Sequence, residues 1–258
     1  HAGEPRVTGQ LDFQLWSEFE GGRLGNSLLA FGNNHLIWKD EVKGEPHRLD
    51  LRGGKIQLRR DGEEWQLASH DVTFKLDGAT WLQSRLQLER VGSRIQGYVP
   101  AIDLDQMANL SQLVSGLYPE LTKTLKHTQP KGKLQELVLQ ADGDWQGLSL
   151  SGQLRGFETK AWHDVPGLQK LDGDFWLTPA GGSARLTLGK GKVDPARHFK
   201  VPIPVDSLFA RLDWWRETQG WVLYGQDIAL DNPDLTLASR FRLDLFEHPF
   251  LALTGRID

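Results

Sequence analysis

The 258-residue chain contains no cysteine, which removes disulfides, thiolate metal sites and cysteine nucleophiles together. No run of about eighteen apolar residues marks a membrane-spanning helix, and no charged segment followed by an apolar core opens the chain. Blocks of like charge are missing too: 30 Lys and Arg stand against 34 Asp and Glu, a formal charge of −4, with the basic residues scattered. That argues against a nucleic-acid footprint and against a polybasic membrane patch. Methionine occurs once, at Met107, and the chain starts His1-Ala2-Gly3 without an initiator, as expected of a section excised or processed from a longer protein.

Signatures of chemistry are equally scarce. The eight histidines are widely separated and no His-Glu-x-x-His occurs, so neither a metal nor another cofactor is expected. Gly189-Lys190-Gly191-Lys192 lacks the spacing of a phosphate-binding loop and reads as a basic turn. Glu63-Glu64 beside Trp65 has the composition of a glycosidase or sugar-binding cleft, but at a hairpin tip such charges are ordinarily solvated. The chain is therefore read as non-enzymatic.

What is abundant is tryptophan, ten residues against three tyrosines, placed in short alternating segments. Leu11, Phe13 and Leu15 alternate with Asp12, Gln14 and Trp16, the period of a strand with one apolar face. Ile56 and Leu58 lead through Arg60-Asp61-Gly62-Glu63 into Trp65-Gln66-Leu67, and Val72-Thr73-Phe74 runs to the turn pair Asp77-Gly78. Later come Leu137 and Leu139, Leu148 and Leu150, then Leu186 and Leu188 after the turn Pro179-Ala180-Gly181-Gly182. Residues 190–204, limited by Pro195, Pro202 and Pro204, read as a loop or short edge element, and 208–245 as nearly continuous strand and turn. One interruption is helical: Met107, Leu110, Leu113, Val114, Leu117, Leu121 and Leu125 recur at three and four residues, with Asp103 as N-cap and Pro119 starting a second helix. The expected fold is mostly β, a long, twisted antiparallel meander forming an elongated apolar groove. Its β-rich parts cover 9–101 and 132–258, with a helical insertion at about 103–127.

A repeat runs through this pattern. At an offset of 156 residues, without a gap, Ile56 matches Leu212, Leu58 Trp214, Trp65 Trp221, Leu67 Leu223, Asp71 Asp227, Val72 Ile228 and Phe74 Leu230. Trp145 after Gly143-Asp144 is a looser third copy. Repeats in constant phase suggest a sheet extended by similar hairpins, each contacting mainly its neighbours; antiparallel sheets also produce some likeness of turn and strand by chance.

Several segments resemble a known family. They are Val201-Pro202-Ile203-Pro204-Val205-Asp206, Leu208-Phe209-Ala210-Arg211-Leu212-Asp213-Trp214, Gly220-Trp221-Val222-Leu223 and Asp227-Ile228-Ala229-Leu230-Asp231-Asn232-Pro233-Asp234. With Tyr98-Val99-Pro100-Ala101-Ile102-Asp103-Leu104 and Gln129-Pro130-Lys131-Gly132-Lys133-Leu134, they are similar to the middle of AsmA-like proteins of the YhdP type. The resemblance implies a rod of repeating β-groove in the periplasm of a Gram-negative bacterium, anchored to the inner membrane by parts of the chain outside this section. It implies phospholipid as the cargo, outer-membrane integrity as the outcome, and the remaining repeats of the same long chain as partners.

On that reading the candidate lining residues are Leu11, Phe13, Leu15, Ile56, Leu58, Trp65, Leu67, Val72, Phe74, Leu137, Leu139, Leu148, Leu150, Leu186, Leu188, Leu212, Trp214, Trp221, Leu223, Ile228 and Leu230. Patterning is the same for a trough open to an acyl chain and for a sandwich sealed by a second sheet. A β-sandwich carbohydrate-binding module, with Trp rings stacked on sugars, and a purely structural envelope scaffold are the alternatives. Trp214 and Trp215, adjacent on one strand, must face opposite sides.

Overall fold

The computed structural model describes residues 7–39, 46–82, 85–106, 119–142, 147–163, 165–195 and 201–258. The first strands are β1 (Thr8–Gln10), β2 (Phe13–Glu20), β3 (Arg23–Phe31), β4 (Asn33–Lys39), β5 (Pro46–Arg52), β6 (Lys55–Asp61), β7 (Glu64–His70), β8 (Thr73–Leu76), β9 (Ala79–Leu82), β10 (Arg85–Val91) and β11 (Arg94–Asp103). A 3₁₀ turn, Leu104–Gln106, and helix α1 (Pro119–Thr128) follow. Then come β12 (Lys131–Asp142), β13 (Ser149–Thr159), β14 (Gly167–Thr178), β15 (Gly181–Leu188), β16 (Gly191–Asp194), β17 (Ile203–Val205), β18 (Ser207–Glu217), β19 (Gly220–Asp231), β20 (Thr236–Leu245) and β21 (Phe250–Ile257). The chain is mostly β, and every strand pair whose register is given is antiparallel. Two compact units divide it, one built mainly from residues 1–102 and the other mainly from 127–139 and 147–258.

In the first unit, β2-β3-β6-β7-β10-β11 form one sheet path and β1-β4-β5-β8-β9 a second sheet. The two share their chains: β1 runs on into β2, β3 into β4, β5 into β6 and β7 into β8, each across a break of one or two residues. This is one meander whose long strands all kink at the same level. The kink is stitched by backbone bonds, Gly32 N–H donating to Asp12 O (2.8 Å) and Gly53 N–H to Gly32 O (3.0 Å). Buried Asn34 completes it, its Oδ1 accepting from Asp12 N–H (2.6 Å) and its Nδ2 donating to Gly32 O (3.1 Å). A buried amide satisfied on both sides costs little, where an unsatisfied one would be expensive. The expected first strand is thus two short ones, with Leu11 and Asp12 between them.

The second unit carries β12 to β15 and β18 to β21 in sequential order, with β16 paired to the start of β14 and to β17. Its strands stay continuous but bulge between Leu154 and Phe157, Phe209 and Arg211, and Gly225 and Ile228. Asp227 at such a bulge has φ 51°, and Asp71 at the break between β7 and β8 has φ 53°. Aspartate tolerates this left-handed region better than bulkier residues because its short polar side chain bonds locally. The extent of the 190–204 element is now defined by β16 and β17. Val205 there packs with Leu171 and Leu188, all three buried, against Leu154, Phe157, Leu168, Leu186, Val193, Leu208 and Leu230. These short strands seal one end of an apolar face into a small core.

Pro119 starts α1 as expected, its missing N–H lost at a position where no helical bond is made. Asp103 closes β11 and leads into the 3₁₀ turn. Met107, Leu110, Leu113, Val114 and Leu117, and the loose repeat at Trp145, lie outside the described residues. Among the described residues no helix is long and apolar enough to cross a membrane.

The repeat is realised in register. The first hairpin pairs Arg60 with Trp65, Leu58 with Leu67 and Ile56 with Ser69. The second pairs Arg216 with Trp221, Trp214 with Leu223 and Leu212 with Gly225. Every pair is displaced by the same 156 residues. The copies diverge at the aspartate, where the first strand breaks and the second bulges and continues.

Candidate functional site

Residues directly opposite on neighbouring strands lie on the same face, so the registers sort each sheet into two faces. On one face of the larger sheet path in the first unit, a row runs Leu15, Leu29, Ile56, Ser69, Leu86. The next runs Ser17, Ser27, Leu58, Leu67, Leu88, Gly97. The polar members of the two rows are paired with each other or the backbone: Ser17 and Ser27 hydroxyls are 2.7 Å apart, and buried Ser69 Oγ accepts from Leu86 N–H at 2.9 Å. The opposite face carries Gln57, Arg59, Gln66, Gln87, Glu89 and Gln96.

The second unit repeats the division on a longer scale. One row runs Leu150, Leu177, Gly182, Trp214, Leu223, Leu243, Leu251 across seven strands. Another, beyond the bulges, runs Phe157, Leu171, Leu188, Leu208, Leu230, Leu237, Ile257. The other face holds rows such as Gln153, Asp174, Arg185, Arg211 and Gln226.

Large side chains on the apolar face lie down across small neighbours. A Cβ on Gly182 would come within 2.6 Å of Trp214 Cζ2, and one on Gly225 within 2.7 Å of Phe241 Cδ1. Gly152 accommodates Leu137 and Phe175 in the same way, and Gly173 accommodates Leu186. Glycine is needed at these sites for the space beside it, and the result is an apolar floor with few projections. Trp215, on the opposite face, donates from Nε1 to Glu217 (3.0 Å) and lies under the Arg242 guanidinium, 5.9 Å from its ring centre.

The expected lining residues therefore fall into distinct settings. Phe13, Leu15, Ile56, Leu58, Trp65 and Leu67 share the apolar face of the first unit. Leu150, Leu186, Leu188, Leu212, Trp214, Trp221, Leu223, Ile228 and Leu230 share that of the second, as does Leu137, which packs beside Gly152. Leu139 stands two residues from Leu137 on β12, in step with that face, and Leu148 lies just before the start of β13. Phe74 belongs to the second sheet of the first unit, across the kink and opposite Leu51, while buried Val72 lies in the break between β7 and β8. Leu11, 63% exposed, sits between strands. Leu137 and Leu188 are buried, whereas Leu15, Trp221 and, at the unpaired side of β21, Leu251 and Leu253 are exposed.

Sequence reasoning passed over Leu29, Leu86, Leu88, Leu177, Phe241 and Leu243, which complete the rows. It also passed over Arg60 and Arg90, which flank Trp65 in register on the same face. Strand alternation in Leu86-Gln87-Leu88-Glu89-Arg90 was the available signal for Arg90.

Outside these faces the side-chain pairs are largely exposed, apart from buried His47, whose Nδ1 lies 2.8 Å from Asp77 Oδ2. Glu63 pairs with Arg23 at 2.9 Å with both side chains well exposed. Arg48 grips Asp50 through Nε and Nη2 at 2.9 Å each, and that hydrogen bonding, opposed by burial and helped by the positive charge, holds the Asp50 carboxyl below its ordinary value. Among the described residues no group of three His, Asp or Glu is placed to hold a metal ion.

Compared with known proteins, the chain matches the family model described as YhdP protein over residues 2–258. It is 21% identical over 243 residues to the intermembrane phospholipid transporter YhdP of Escherichia coli strain K12, an alignment covering 86% of this chain and 18% of that protein. The chain thus spans less than a fifth of the length of the curated relative it matches. No solved structure matches. With its match extending over almost every residue, the chain belongs to the YhdP family.

Proposed function

We propose that the apolar faces of this chain carry the acyl chains of phospholipid as one stretch of a conduit between the two membranes of a Gram-negative envelope, without chemical catalysis. The observation that carries this reading is the set of unbroken apolar rows, seven strands across in the second unit, that stay partly open at Trp214, Leu223 and Leu243. The name of the Escherichia coli relative supports the cargo.

The physics fits a sliding ligand. Each methylene removed from water contributes about 0.8 kcal/mol, so an acyl chain of about fifteen carbons gains on the order of 10 kcal/mol on such a floor. With rings seated over Gly182 and Gly225, the gain changes little from one strand to the next, and a lipid moves without climbing out. No proton transfer or covalent step is asked of any side chain. The sealed core around Leu188 and Val205 serves as a fixed wall, with Leu188 supporting the floor from within it, while buried Leu137 supports the floor beside Gly152. The remaining repeats and the inner-membrane anchor of the longer protein supply the rest of the path, and the periplasm is its setting.

The test is site-specific photo-crosslinking in cells. A photoreactive residue at Leu67 or Leu223 is expected to capture phospholipid, while one at Gln66, next door but on the opposite face, is not. Equal capture at Leu67 and Gln66, or none at Leu67 and Leu223, would sink the reading.

A further inference from the structure

The apolar rows of the first unit end at a row of a different kind. Two residues beyond Leu58, Leu67 and Leu88, the same face carries Arg60, Trp65 and Arg90, each arginine directly opposite the tryptophan on a neighbouring strand. Resting on the lipid-carrying reading, we propose that Arg60, Trp65 and Arg90 form a rim site that holds the phosphate of a phospholipid whose acyl chains lie on the Leu58, Leu67, Leu88 row.

Three observations support it. First, neither arginine makes an ion pair among the described residues, although carboxylates are plentiful in the chain. Arg60 Nε instead donates to Gly62 O (3.0 Å) and Nη1 to Leu24 O (3.4 Å), while Arg90 Nε donates to Gly92 O (3.2 Å). These bonds to backbone carbonyls, of the turns at Gly62 and Gly92 and of β3 at Leu24, hold both guanidiniums at the hairpin ends and leave most of their five N–H groups for an anion. Second, the two strands that carry them flank β7, so their backbones are about 9–10 Å apart, a span that two arginine side chains close over one phosphate. Guanidinium is the group best matched to phosphate oxygens, and tryptophan is favoured where hydrocarbon meets polar headgroup. Third, the arrangement recurs: Arg216 opposes Trp221 in the second hairpin at the same register, two residues beyond Trp214 and Leu223. There the third position is Leu245 in place of arginine, which makes it the weaker rim.

The test measures binding of fluorescent phosphatidylglycerol and of fluorescent diacylglycerol, which has the chains without the phosphate, to the purified chain and to R60Q/R90Q. Loss of charge-assisted contacts at a partly exposed site is expected to weaken phosphatidylglycerol about tenfold. Diacylglycerol binding should be unchanged, which also shows that the variant is folded, and R60K/R90K should recover most of the loss. Equal weakening of both lipids, or no weakening of either, overturns the rim site and leaves the conduit standing. Failure of the parent chain to bind either lipid overturns both. Inorganic phosphate is titrated separately; if it binds as tightly as phosphatidylglycerol, the site is for a free anion and the proposal falls.

Discussion

Alanine at Gly225 places a methyl group where the Phe241 ring lies. The three atoms nearest to that new Cβ are two of the ring and Ile228 Cδ1, the last at 2.8 Å, all of them side-chain atoms. The strand backbone can therefore stay, and the ring must swing off the floor. Overpacking of this kind costs about 1–3 kcal/mol, or about 2–4 °C in midpoint for each kcal/mol in a protein of this size. The displaced ring projects into the path, so lipid capture by a crosslinker at Leu223 is expected to fall along with stability. Thermal unfolding and crosslinking are measured for Gly225→Ala, Phe241→Ala and the double variant. Because the clash is between these two positions, the double variant should be more stable than the sum of the single effects predicts, by at least about 0.5 kcal/mol. Additivity within about 0.3 kcal/mol, with crosslinking unaffected, would refute the seated-ring floor.

Leu188 and Leu253 separate core from surface. Leu188→Ala should cost about 2–5 kcal/mol because the residue is 2% exposed in the sealed cluster, whereas Leu253→Ala, at 65% exposure, should stay within about 0.5 kcal/mol; urea unfolding distinguishes them. At Asp71, whose φ is 53°, valine should destabilise by about 1–3 kcal/mol and glycine should be tolerated, again by urea unfolding. The Asp50 carboxyl should titrate below an ordinary aspartate when followed by NMR, and Arg48→Ala should raise its midpoint. Since the folded value is lowered, any stability it confers is present above the unfolded value and lost as pH falls through the folded one.

Much of this protein was legible before its structure. Alternation in Ile56 to Leu67 and Leu212 to Leu223 is a local property of the chain, because successive side chains on a strand must point to opposite faces. Turn signals Asp61-Gly62 and Asp77-Gly78 place the hairpins, since Gly62, Asp77 and Gly78 accept the left-handed backbone that tight turns require. The offset of 156 residues was also readable, because it needs only identical spacing in two stretches. The resemblance to the YhdP type rested on whole segments such as residues 201–206 and 227–234, and the family model matching residues 2–258 bears it out.

Strand pairing was not legible, because partners are chosen by contacts distant in sequence. Only the fold shows that the meander kinks at Gly32 and Gly53, splitting the expected opening strand around Leu11. Only the register places Arg60 and Arg90 on either side of Trp65, thirty residues apart in the chain yet in one row. Burial, too, belongs to tertiary structure: Leu186 and Leu188 read alike as alternating leucines, but β16 and β17 fold over one end of the face and bury Leu188 more deeply. Alternation determines which side chains share a face; which of them stay open depends on what the rest of the chain lays over them.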